Sequence, residues 1–329
     1  MSEKVVKRAD WGIKKAKREE IFMLKAYQID ELTNGAYGLT KENAPLSHYT
    51  TFHIGGPCDL LVEPTGEKEL LRTYRYLRSE EIPYYIIGRG SNLLIRDGGI
   101  PGVVILLNRL YSDVTIEGSK ITAQTGAGLR DVALLSFEAG LTGMEEISGI
   151  PGSVGGGVYM NAGAYGGEMK DVVESIHAVT KDGQLITLTI DEMEMGHRTS
   201  RMMTEGMLVT EVVFQLKEGD PQKIRAAYED FTHRRTTKQP LDDYSAGSVF
   251  KRPKGGYASA LIDQAGLRGL SVGDAQVSEK HCGFMINRGH AKASDVLVLI
   301  EKVQKEVKDQ FGINLEPEVR IIGVDKRDD

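Results

Sequence analysis

SGIPGSVGGGVYMNAGAYGG, residues 148–167, decides how the rest of the chain is read. Eight of its twenty residues are glycine, and a glycine inside a regular element costs roughly 0.5–1 kcal/mol relative to alanine. Something must offset that cost. Glycine tolerates positive φ and lets the main chain come close to a ligand, so successive N–H groups can line a concavity for an anion such as a pyrophosphate. The plain alternative is a flexible linker, but linkers are Gly/Ser mixtures, whereas Ile150, Val154, Val158, Tyr159 and Met160 interrupt this run. The stretch reads as a ligand-cradling loop.

Two further segments upstream have the same character. Tyr84–Ile87 is an apolar strand that runs into Gly88-Arg89-Gly90-Ser91-Asn92 and then into another apolar run. Glycines with Ser and Asn in such a turn offer donors to a phosphate, although an ordinary hairpin turn has the same composition. Residues 111–127 predict two short strands ending in Thr125-Gly126-Ala127-Gly128, and a helix over Leu129–Ala139 delivers the chain to the glycine-rich centre. Before these, YTTFHIGGPCDLLVEP (49–64) alternates like a strand, breaks at Gly55-Gly56-Pro57 and resumes. His53 there is either a cofactor contact or a structural histidine beside apolar neighbours. Leu70, Leu71, Tyr74 and Leu77 place one face of a helix over 67–80.

Downstream, Asp182-Gly183 lies between two alternating runs and predicts a hairpin, and 209–216 adds a strand. Asp220-Pro221 is an N-cap with proline at N1, opening a helix to about Arg234 that ends in His233, Arg234, Arg235 and Lys238 before Pro240. Residues 256–266 are helical and 283–287 a strand. Ser294 caps a helix to about Gln310 with Gly312 at C′, and 316–323 is the last strand. Strands first, then helices mixed with strands, define an α+β class.

The 329 residues suffice for two or three domains with real cores, and a net charge of −6 argues against a nucleic-acid surface as the main business. Small-molecule chemistry is favoured. Cys58 and Cys282 are the only cysteines and have no metal or redox spacing, which predicts a reducing compartment, the cytoplasm. No apolar run approaches membrane length, and the basic N-terminus has no apolar segment behind it, so neither export nor membrane insertion is expected. Residues 1–31 form a charged, roughly helical extension with Trp11, Ile13, Ile21 and Phe22 as a sparse stripe. No G-x-G-x-x-G, P-loop or H-E-x-x-H motif occurs, so no metal is expected. Gly269-Leu270-Ser271-Val272-Gly273 matches the hydrolase pattern G-x-S-x-G, but that motif needs a strand before it and a helix after it. Here a helix precedes and Gly-Asp follows.

Three cradles imply a long phosphate-bearing ligand, and the cations Arg235, Lys238, Lys251 and Arg252 imply a second anionic one, so a cofactor and a substrate should meet between domains. On composition alone those cations are equally a solvated surface. RGSNLL (89–94), SGIPGSVGG (148–156), NAGAYGGE (161–168), RTTKQP (235–240), AGSVFKRP (246–253), LIDQAGLRG (261–269) and LEPEVRIIG (315–323), taken in order, resemble the UDP-N-acetylenolpyruvoylglucosamine reductase family. The resemblance spans about Tyr49 to Gly323.

That resemblance implies an FAD-binding fold of the vanillyl-alcohol-oxidase type, with two subdomains over 32–108 and 109–218. An α+β substrate-binding domain over 219–329 follows, its final strand able to return to the FAD-binding part. It implies an NADPH-dependent flavoenzyme that reduces a UDP-sugar enolpyruvate for peptidoglycan synthesis. By position it implies Ser248 in AGSVF, Arg198 in GHRTS and Glu318 in PEVR as catalytic. The cofactor set is then His53, Gly88, Gly90, Ser91, Asn92, Gly126, Gly149, Gly152, Ser153, Gly155, Gly156, Asn161 and Gly163, and Gln264 joins the four cations as substrate-binding. Two departures stand out. His197 occupies a place where the family often has tyrosine. Only twenty residues, Leu216 to Arg235, fill an interval where some members insert a capping loop. Another oxidoreductase of the same fold and a non-catalytic sugar-nucleotide binder are the other readings.

Overall fold

A computed structural model describes residues 23–326. The predicted stripe of Trp11, Ile13, Ile21 and Phe22 lies outside the described residues; the first element inside them is a short helix, Ala26–Leu32, that buries Leu32. Three larger sheets organise the described chain. The first runs in the order Leu39–Pro45, Pro57–Glu63, Ile100–Leu106, Tyr84–Ile87, with its first pair antiparallel and the other two pairs parallel. A parallel pair needs a crossover, and the helix Glu67–Ser79 supplies it. Leu70, Tyr74 and Leu77 share one face and are buried in the core with Leu60, Val62 and Val103. Each such side chain contributes about 1.5–3 kcal/mol on leaving water.

The second sheet is antiparallel, ordered Leu185–Thr189, Val173–Val179, Leu208–Gln215, Lys120–Gln124, Val114–Glu117. The hairpin predicted at Asp182-Gly183 joins its first two strands, with Gly183 at φ 79°. That sheet packs on the helix Leu129–Glu138 and on the glycine-rich centre through Ile121, Val132, Val154, Val158 and Phe214. The third sheet, Tyr244–Ser248, Phe284–Asn287, Ala275–Val277, Ser271–Val272, is covered by the helix Ala293–Phe311, whose Val296, Leu299, Ile300, Val303 and Val307 recur at helical spacing. Gly312 closes that helix at φ 68°. The apparent G-x-S-x-G motif is a hairpin here, Ser271 pairing with Gln276, so the strand-to-helix elbow that the motif needs is absent.

Four sequence expectations differ from the fold. Ser294 does not cap its helix: Ala293–Phe311 starts one residue earlier, with Lys292 at the N-cap position. Residues 49–54 do not form the first half of a strand. His53 lies at φ 53° and the Thr50 hydroxyl donates to the Ile54 carbonyl (3.1 Å), which makes a turn that sinks Phe52 and Ile54 into the core of the third sheet. The helix opened by Asp220 continues to Lys238, so Arg235 and Lys238 sit in its last turn. The last strand is only Arg320–Ile322, and it pairs in parallel with Leu93–Ile95 of the first half of the chain.

The first half of the chain is joined to the third sheet by polar contacts as well as by Phe52, Ile54 and Leu94. Thr51 and Ser245 exchange two hydrogen bonds, Thr51 Oγ1 to the Ser245 carbonyl (2.7 Å) and Ser245 N–H to the Thr51 carbonyl (3.2 Å). Buried Asn287 donates to the Phe52 carbonyl (3.1 Å) and accepts from the Gly289 and Ala291 N–H groups. The Ala293–Phe311 helix is capped from across this seam, because the Asp97 carboxylate accepts from the N–H groups of Ala293 (2.7 Å) and Ser294 (3.0 Å). A helix leaves its first N–H groups unpaired, and here a residue of the first half satisfies two of them. Asp97→Ala should therefore cost about 0.5–2 kcal/mol, seen as a lower melting temperature, with Asp97→Asn showing only part of that loss; an unchanged melt for Asp97→Ala would remove the cap from the account.

Candidate active site

The glycine-rich centre is not wholly loop. Ser153 caps a short helix, Val154–Tyr159, its Oγ accepting from the Gly156 N–H (3.3 Å). The other two glycine segments close around its start. Leu129 N–H donates to the Gly152 carbonyl (3.0 Å), Val154 N–H to the Ala127 carbonyl (2.8 Å) and Gly155 N–H to the Thr125 carbonyl (2.9 Å). A β-carbon on Gly88 would overlap the Ser153 hydroxyl, and one on Gly152 would lie 3.4 Å from the Ser91 hydroxyl. All three predicted cradles therefore meet at residues 152–155.

The glycines are there for two different reasons. A β-carbon at Gly90 would overlap the Tyr49 carbonyl, at Gly126 the carbonyls of Asn108 and Tyr111, and at Gly155 the Thr125 hydroxyl. Those three are required by protein packing alone. Gly156 differs: it is exposed, and its β-carbon would meet only the Ser153 hydroxyl, at 3.2 Å. An exposed glycine in the first turn of a helix leaves the main chain open to close approach. Asn92 donates to the Glu318 carbonyl (3.4 Å), and His53 stacks on Tyr244 with centroids 3.8 Å apart.

Beside this cradle the chain brings Arg198 and Glu318 together from 120 residues apart, Arg198 Nε to Glu318 Oε1 at 2.6 Å, both largely buried. Arg198 also donates through Nη1 to the Asn161 carbonyl (3.2 Å) and through Nη2 to the Gly163 carbonyl (3.1 Å). A guanidinium has five N–H bonds, so two remain for an anion. Arg198 is left-handed, at φ 55°. Ser248 ends the strand Tyr244–Ser248 with its side chain exposed, and the next carbonyl, Val249, accepts from the Glu318 N–H (2.7 Å). The three residues named as catalytic thus occupy one neighbourhood.

The four cations do not act as one patch. Arg235 donates to the Gly149 carbonyl and lies over the Tyr165 ring (5.9 Å), so it belongs to the glycine-rich centre. Burial lowers its pKa, the Tyr165 hydroxyl opposes the shift, and among the described residues no carboxylate contributes. Lys251 pairs with Glu316 (3.3 Å), Arg252 stacks on Tyr257 (4.1 Å), and Lys238 and Gln264 are exposed at helix ends.

Several residues have roles that the sequence did not announce. Tyr165, left-handed at φ 54°, packs on Phe231 (5.1 Å) as well as under Arg235. Arg320, two residues beyond Glu318, lies over Tyr159 at 5.4 Å; burial raises the Tyr159 hydroxyl and Arg320 opposes that rise. The i, i+2 spacing of Glu318 and Arg320 was the one available signal. Glu168 binds Asn161 (3.0 Å) and Lys170 (2.8 Å), and His197 Nδ1 stands 4.0 Å from it, so His197 has a carboxylate beside it.

Comparison with known proteins gives the family. Residues 239–322 match the family model described as UDP-N-acetylenolpyruvoylglucosamine reductase, C-terminal domain, and residues 58–189 match an FAD binding domain. The chain is 48% identical over 283 residues to the UDP-N-acetylenolpyruvoylglucosamine reductase of Clostridium perfringens, a match that covers 86% of this chain and 93% of that one. It is 47% identical over 281 residues to the reductase of the same name from Caldanaerobacter subterraneus, covering 85% and 93%. The crystal structure of UDP-N-acetylenolpyruvylglucosamine reductase from Thermus caldophilus superimposes with a TM-score of 0.74 at 35% identity, over 86% of this chain and 98% of that one. The fold is α+β with an FAD-binding fold of the vanillyl-alcohol-oxidase type. With near-complete coverage of relatives at this identity, the chain belongs to the UDP-N-acetylenolpyruvoylglucosamine reductase family.

Proposed function

We propose that this chain reduces the enolpyruvyl group of UDP-N-acetylglucosamine enolpyruvate to give UDP-N-acetylmuramate for peptidoglycan synthesis. FAD is the resident cofactor and NADPH the hydride donor. The observation that carries the reading is the Arg198–Glu318 pair set beside the glycine cradle, with the Ser248 strand docked on the Glu318 main chain. The cradle suits FAD: the exposed Gly156 surface lets a ligand come close, and the Ser91 hydroxyl and the half-buried Arg235 are donors that an uncompensated pyrophosphate would meet. Held in this cradle, FAD would supply the hydride that the β-carbon of the enolpyruvyl group takes up.

The chain's own residues manage the charge that results. Hydride addition places negative charge on the α-carbon and its carboxylate. The two free N–H bonds of Arg198 suit a bidentate grip on that carboxylate, and they strengthen as the charge grows. Glu318 holds the guanidinium from its Nε side, which fixes the plane in which the grip is offered. Ser248, exposed and adjacent through Val249, delivers the proton to the α-carbon. Lys238, Lys251, Arg252 and Gln264 meet the sugar nucleotide. Arg235, held at Gly149, serves whichever nucleotide occupies the pocket. Residues 32–108 and 109–218 form the two FAD subdomains, and 219–329 the substrate domain. Among the described residues no helix is long and apolar enough to cross a membrane, and both cysteines are free and buried; we assign the chain to the cytoplasm.

Two experiments test these roles. Gly156→Val should lower FAD content at an almost unchanged melting temperature. Gly157→Val should instead disturb the fold, because Gly157 is buried and its β-carbon would already touch the Met169 side chain at 3.4 Å, which leaves no room for the two methyl groups; full flavin content in Gly156→Val would count against the cradle. Ser248→Ala should bind FAD and accept electrons from NADPH at near the wild-type rate. It should then pass them to the enolpyruvyl substrate about 10²–10⁴-fold more slowly, read by stopped-flow flavin absorbance, with Ser248→Cys partly restored. Equal slowing of both half-reactions would make Ser248 a pocket residue and not the acid.

A further inference from the structure

Asn161 has a conformation and a set of partners that cofactor binding does not explain. It is fully buried and left-handed, at φ 45°, a region that asparagine enters more readily than other residues with a β-carbon. Its side-chain amide is spent on protein. Nδ2 donates to Glu168 Oε2 (3.0 Å) and to the Gly196 carbonyl (3.0 Å), and Oδ1 accepts from the Lys170 N–H (3.0 Å). An asparagine side chain has two N–H bonds, so none is left for a ligand.

The partners form a closed set around one residue. The Asn161 carbonyl accepts from Arg198 Nη1, and its Nδ2 holds Gly196, two residues before Arg198. Gly196 and Thr199 bridge each other on either side of Arg198 (3.0 and 3.3 Å), and the Ser200 hydroxyl ties the far end to the Tyr159 carbonyl (2.6 Å). Glu168 accepts the second N–H of the same amide nitrogen and is itself held by Lys170 (2.8 Å). The Lys170 contact, with help from Asn161 and Arg198, keeps the Glu168 carboxyl below its ordinary value, so it stays an acceptor at neutral pH. Arg198, itself strained at φ 55°, is thus held by the same buried residue at its guanidinium, through the Asn161 carbonyl, and at Gly196 in its turn, through the Asn161 amide.

We infer that Asn161, anchored by Glu168, is a positioning residue for Arg198, which it holds in the left-handed turn that aims the guanidinium, and that its side chain is not an FAD ligand. The inference rests on the catalytic reading of Arg198. An arginine displaced by about 1 Å from its place can lose on the order of 10²-fold in rate, and a clamp that grips both the guanidinium and the turn beneath it is the means of preventing that.

The test is a double-mutant cycle of Asn161→Ala and Arg198→Ala, followed through flavin content, melting temperature and the two half-reactions. Asn161→Ala should keep its flavin and its rate of reduction by NADPH, and slow reoxidation by the enolpyruvyl sugar nucleotide by about 10–100-fold. In the Arg198→Ala background the same substitution should change reoxidation by less than about 2-fold, since the residue it serves is gone. Should Asn161→Ala fail to fold, Glu168→Ala enters the clamp from its other end and is expected to give the same pattern. Loss of flavin in a folded Asn161→Ala would overturn the inference in favour of a cofactor role. Equal slowing in both backgrounds would overturn it in favour of an independent one. Undiminished reoxidation in Arg198→Ala alone would instead sink the catalytic reading of Arg198, a result distinct from either.

Discussion

The contact on which the site depends is the ion pair of Arg198 with Glu318, 2.6 Å long and 120 residues apart in sequence. Neither partner is placed by its own element. Arg198 sits in a turn between the sheet that carries 173–179 and the short helix Arg201–Glu205, and Glu318 precedes a three-residue strand. Each is therefore located by what its neighbours bind. Arg198 is fixed by the carbonyls of Asn161 and Gly163, Glu318 by its N–H on the Val249 carbonyl and by Asn92 on its own carbonyl. The ion pair gathers the glycine-rich centre, the first cradle and the Ser248 strand in one place.

That requirement explains the return of the chain's end to its beginning. The strand Arg320–Ile322 adds in parallel to Leu93–Ile95, immediately after the Gly88–Asn92 cradle. Parallel pairing of two three-residue strands is weak by itself, so the burial of Phe52, Ile54 and Leu94 with Val249, Phe250 and Val319 carries the association. Polar contacts then set the register. Buried Asn287 and the Asp97 cap satisfy groups that would otherwise be orphaned in the seam, and their loss would cost more than their presence contributes.

Local conformation was largely legible. The 3–4 spacing of Leu70, Tyr74 and Leu77, the Asp-Gly turn at 182–183, the Asp-Pro helix start at 220–221 and the glycine after Phe311 are each readable in a short window. Reading failed where a local pattern met a distant demand. The alternation of Thr50 to Ile54 looks like a strand because two apolar side chains are buried, but His53 turns left-handed so that both can enter the third sheet's core. The helix from Pro221 runs on past Arg234 because its last turn reaches the centre through Arg235 and the Gly149 carbonyl.

By itself, the sequence determined the class and marked the three glycine-rich segments, and family motifs pointed to Ser248, Arg198 and Glu318 as candidates. These depend on residue type and short spacing, and a single chain records both. Only the tertiary structure decided which glycines are required by packing, because that turns on the atom a β-carbon would strike: it would overlap the Thr125 hydroxyl at Gly155 and stand 3.2 Å from the Ser153 hydroxyl at Gly156. It also separated Arg235 from Lys251 and Arg252, which composition had grouped. And it gave Asn161, Glu168 and Asp97 their work, since a side chain's partners across 35 or 196 residues are fixed by packing and not by neighbours in the chain.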